Sequence, residues 1–72
     1  MYTARIDSFN RNKVDVFNAI TGAYACSFYA NVGNGCITNV HVQGQYVSLT
    51  HSDGTIVVYD ADNRSFVRMI NW

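Results

Sequence analysis

Turn-forming residues recur at close spacing along this chain, and only short runs of β-branched and aromatic residues lie between them. Asn10-Arg11-Asn12, Thr21-Gly22, Gln43-Gly44, Ser52-Asp53-Gly54 and Asp62-Asn63 tolerate positive φ or make Asx turns. Long helical periodicity is absent and there is no proline. The pattern predicts an all-β chain with strands over residues 3–9, 13–19, 23–29, 36–43, 46–51, 55–60 and 66–70. Seven strands joined by short turns make an antiparallel meander. Only Asn31-Val32-Gly33-Asn34-Gly35 is longer than a tight hairpin needs.

One strand restricts the architecture further. Ile56-Val57-Val58-Tyr59 is four large apolar residues in a row. On a sheet with one wet face, half of them would stand in water. Such a strand needs cover on both sides. Either sheets of several copies pack together, or one chain closes a small monomeric β-sandwich or barrel. Shifting the sequence by 42 residues places Val14-Asp15-Val16-Phe17-Asn18-Ala19 on Ile56-Val57-Val58-Tyr59-Asp60-Ala61. The same shift places Tyr24 on Phe66, Phe28 on Ile70, Ser8 on Thr50, and the turn at Asn10 on that at Ser52 without a gap. A period of this length matches the roughly 40–45 residues of a four-stranded propeller blade.

Residues 45–60 resemble the second and third strands of a WD-repeat blade. Tyr59-Asp60 stands where that family has Trp-Asp, and Ser52-Asp53-Gly54-Thr55 matches the tight turn before it. Residues 13–28 are similar to the third strand, Thr-Gly turn and fourth strand of the same blade. No Gly-His pair precedes Cys36, so the family's Asp–His–Ser–Trp tetrad has no counterpart. The resemblance implies a generic propeller-like blade. Residues 1–72 then read as a single domain, with a three-stranded blade-like unit in 1–30 and a four-stranded one in 36–72. A propeller needs about four to eight blades, which one chain of two units does not supply. Homo-oligomerisation would supply them, a trimer giving six.

Composition bounds the function. Five basic residues balance five acidic ones, and 49% of the 72 residues are apolar. That excludes a disordered charged tail and argues against a nucleic-acid partner. No apolar run approaches membrane-spanning length, and the N-terminus lacks a signal-peptide core, so a cytoplasmic protein with no membrane partner is expected. A chain this short buries only about 60% of its unfolded surface on folding, which again favours association. Cys26 and Cys36 are expected as free thiols.

His51-Ser52-Asp53 has the residue types of a hydrolase triad, but adjacent side chains in a tight turn diverge. No zinc-ligand set, calcium loop or phosphate loop is spelled out, so no metal, no cofactor and no enzymatic activity are expected. Non-catalytic binding of a protein partner remains, with a glycan-binding lectin as the alternative. In an antiparallel meander every second connection returns to one end. Tyr29, Asn31 and Asn34 are therefore expected beside Phe9, Arg11 and His51 on one rim, with Phe9 and His51 in equivalent positions.

Overall fold

The computed structural model describes residues 1–30 and 32–70. Among the described residues there are seven strands, β1 (Tyr2–Ile6), β2 (Lys13–Asn18), β3 (Tyr24–Tyr29), β4 (Ile37–Gln43), β5 (Tyr46–His51), β6 (Ile56–Asp60) and β7 (Ser65–Ile70), and a 3₁₀ turn at Val32–Asn34. The strands form two antiparallel meanders: a first sheet ordered β1-β2-β3 and a second ordered β4-β5-β6-β7. Neither closes into a barrel. Among the described residues no helix is long and apolar enough to cross a membrane.

The first strand is shorter than the sequence suggests. Asp7 turns its carboxylate back to accept the amides of Phe9 (2.8 Å) and Asn10 (3.2 Å), and this Asx turn ends β1 at Ile6.

The core lies between the sheets. Val14, Val16, Cys26 and Phe28 of the first sheet are buried in one cluster with Ile37, Val47 and Leu49 of the second. Phe28 stacks on Tyr59 across the gap, with ring centroids 4.5 Å apart and planes 15° apart. The Tyr2 hydroxyl donates to the Asp62 carboxylate, tying β1 to the turn after β6. Cross-strand partners share a face. In the first sheet Ala4, Val16 and Cys26 therefore point inward, while Arg5, Asp15 and Ser27 point outward. In the second sheet Val47 and Tyr59 share the inward face, and Ser48, Val58 and Arg68 share the outward one.

The hairpins β2–β3 and β6–β7 match in detail at a spacing of 42. A bulge falls between Val16 and Phe17 in one and between Val58 and Tyr59 in the other. Asn18 Oδ1 accepts the amides of Ile20 and Thr21, and Asp60 Oδ1 accepts those of Asp62 and Asn63. Gly22 has φ +76°, and Arg64 has φ 55° at the matching position.

The preceding strands do not follow the same offset. Ala4 pairs with Val16, but Ser48 pairs with Val58. The β1–β2 connection has six residues and the β5–β6 connection four. The gapless alignment of the two turns is therefore displaced by two residues, and Asp7, not Phe9, corresponds to His51. Both mark the strand end: Asp7 N–H donates to the Lys13 carbonyl (2.9 Å), and His51 N–H donates to that of Thr55 (2.8 Å).

Candidate functional site

Three connections meet at one end of the molecule, joined through their backbones. The Ala30 amide donates to the Asn12 carbonyl (2.6 Å), and the Ile37 amide to that of Arg11 (3.3 Å). On the other side the Ser52 amide donates to the Cys36 carbonyl (2.8 Å). The link between the sheets thus crosses both the β1–β2 and the β5–β6 turns.

Gly35 makes the second crossing possible. Its φ is +88°, and a Cβ there would sit 2.0 Å from Ser52 Oγ. Asn34 locks the same crossing: its Nδ2 donates to Asp53 Oδ2 (2.8 Å) and Thr55 Oγ1 (3.1 Å). The bond from Asn34, and after it one from the Thr55 amide to Asp53 Oδ1 (2.9 Å), hold the Asp53 carboxyl below the usual carboxylate range.

The expected rim residues divide into three groups. Phe9 is 98% exposed and Tyr29 59%, with Arg11 also exposed on the turn that carries Phe9. These three side chains stand open to solvent. Asn34 is half-buried and its amide is occupied within the fold. Asn31 lies outside the described residues. His51 corrects the expectation outright, being only 1% exposed. The shorter β5–β6 turn brings it back into the strand register, where its side chain falls inside. Its Nδ1 lies 3.2 Å from the Thr55 carbonyl, which only accepts, so Nδ1 carries the proton. His51 braces the turn that Ser52 and Asp53 form.

Among the described residues no group of three or more His, Cys, Asp or Glu side chains converges as a metal site would require. Cys26 and Cys36 are free, one buried and one exposed, and burial raises the Cys26 thiol's pKa.

Sequence reading missed the outward face of the first sheet. Phe17 and Tyr24 meet there edge-to-face at 6.0 Å, and the Arg5 guanidinium lies 4.9 Å from the Phe17 centroid. Beside them Ser27 Oγ donates to Asp15 Oδ1 (2.9 Å) and bonds the Tyr24 hydroxyl (2.6 Å), while Lys13 pairs with Asp15 at 3.5 Å. The alternation of Val14 and Val16 with Asp15 and Phe17 carried the signal. On the outward face of the second sheet a hollow is lined by Gln43, Tyr46, Ser48, Val58, Val67 and Arg68.

Comparison with protein-family models, with curated proteins and with solved structures found no match.

Proposed function

We propose that this chain is a non-catalytic binding module built from two blade-like units, which self-associates and captures a protein partner at the rim formed by the β1–β2 turn and the link to β4. The observation that carries the reading is Phe9. It is almost fully exposed, yet the Asp7 Asx turn orders the loop beneath it. Packing gives the chain no use for an aromatic ring there. Aromatic and Arg side chains dominate the binding energy of protein interfaces, and Arg11 and Tyr29 complete that set on the same rim. A ring of copies, three being the simplest propeller-like closure, would repeat the rim and multiply weak contacts by avidity.

The test is the double variant Phe9→Ala, Arg11→Ala. Partner capture from a lysate identifies a protein, which is then purified and titrated against both forms. Affinity should fall at least tenfold in the variant, with mass and thermal midpoint unchanged. Equal affinity of the two forms would remove the rim from the reading. Binding on a glycan array with no protein captured would favour a lectin.

A further inference from the structure

From the match between the two hairpins, and resting on the self-association proposed above, we infer the surface by which copies join. The outward face of the second sheet in one copy docks on the outward face of the first sheet in the next.

Val14, Val16, Cys26 and Phe28 line the inward side of the first sheet, and at a spacing of 42 they correspond to Ile56, Val58, Arg68 and Ile70. Those four lie on the outward side of the second sheet. The reverse also holds. Asp15, Phe17 and Tyr24, outward on the first sheet, correspond to Val57, Tyr59 and Phe66 on the inward side of the second. Within one chain, then, a face of one kind packs on a face of the other kind. Among the described residues, one face of each kind is left without a facing sheet.

The uncovered pair retains the features of the covered one. Tyr59 and Phe66 meet edge-to-face at 6.2 Å and 79°, and Phe28 stacks on Tyr59. Phe17 and Tyr24 meet at 6.0 Å and 77°, the same arrangement without a stacking side chain from another sheet. The side chain corresponding to Phe28 is Ile70, on the free face of the second sheet. Continuing the interface already present inside the chain thus places Ile70 on Phe17 of the next copy. Arg5, which covers the Phe17 ring in the single chain, swings aside on its flexible stem. The polar groups around that ring already bond one another, so covering them leaves neither Ser27 nor Tyr24 with an unpaired donor, and Asp15 keeps its partners. The half-buried Ile56 and Ile70 supply apolar area on the opposing side.

Such a contact joins two different patches. It is head-to-tail, and it closes into a ring when the rotation between copies permits. A second copy is the occupant favoured because the covering face is found on the chain itself.

The test uses two single-site chains, Phe17→Cys and Ile70→Cys, each with Cys36→Ser to remove the exposed thiol. Mixed under mild oxidation, they should form the 17–70 heterodisulfide several-fold in excess of either homodisulfide. Homodisulfides in excess would overturn the head-to-tail contact, and so would no disulfide above that of a denatured mixture. Light scattering on the unaltered protein separates the two levels of the proposal. A monomer overturns self-association itself, whereas an oligomer without the heterodisulfide overturns only this choice of faces. The variant Ile70→Asp gives a second readout, an assembled fraction reduced at least tenfold with unchanged circular dichroism. If that variant fails to fold, the disulfide result decides.

Discussion

The hairpins β2–β3 and β6–β7 share their pairing, their bulge and their turn chemistry, yet they bury opposite faces. In the first, Val14 and Val16 go into the core and the Phe17–Tyr24 pair looks out. In the second, Tyr59 and Phe66 belong to the inward face, and Val58 looks out. One backbone plan therefore serves two packing roles, and the side chains record which face each hairpin must cover. Asp15 stands in the first hairpin where Val57, 1% exposed, stands in the second. The difference teaches that an apolar residue's partner is set by the neighbouring sheet and not by its own strand.

The largest expected break in the comparison is at the stacked ring. Phe28→Ala removes a buried aromatic side chain from between the sheets and should cost about 3–5 kcal/mol, enough to unfold much of so small a domain. Ile70→Ala, the matching change, should leave the isolated fold standing. Urea unfolding at low concentration measures both. Equal losses there would mean that the two faces are covered alike within one chain.

A smaller contrast is at the turns. Arg64 adopts a left-handed conformation that costs an ordinary side chain on the order of 1 kcal/mol, and Gly22 adopts the same region without that cost. Arg64→Gly should raise the thermal midpoint slightly, and Gly22→Ala should lower it. Gly35→Ala should do more harm than Gly22→Ala, because its Cβ would also meet Ser52, whereas a Cβ on Gly22 would enter open space.

The smallest contrast is one of pH. The turn after β2 is held by the Asn18 amide oxygen, and that after β6 by the Asp60 carboxylate. Bonds from Gln45 first, then from the Asn63 and Asp62 amides, hold the Asp60 carboxyl below its ordinary value. Its contribution is thus complete above the ordinary carboxylate value of about 3.9 and is lost as pH falls through the lower folded one. Asp53, held by Asn34, and Asp7, held by the Phe9 amide, titrate in the same direction. As these carboxylates take up protons, the thermal midpoint should fall below about pH 4. In Asp60→Asn the fall should be shallower, and a steeper fall would show that the turn is not the source.

The strands were legible because their signals are local. Gly, Asn and Asp mark each turn, and β-branched residues fill the intervals, so β5 is found where expected and most other ends within two residues. In the run at Ile56 Val57 points inward and Val58 outward, but Val58 is already buried within the single chain, so the expected need for a second sheet on that side does not hold for it. The longer β1–β2 turn was not legible. Both connections are rich in the same turn residues, so sequence alone aligned them without the two-residue step and put His51 on the surface with Phe9. The meeting of the three connections at one end was foreseen because strand parity alone sets which connections share an end. The aromatic pair facing out was hidden, since Phe17 and Tyr24 become neighbours only once the bulge after Val16 sets their register.

Mass in solution is the most direct measure of whether copies join through the two faces that the described residues leave open. Multi-angle light scattering at tens of micromolar should give a defined multiple of 8.1 kDa, falling on dilution together with the thermal midpoint. A stable, folded 8.1 kDa particle throughout that range would contradict the joining of copies.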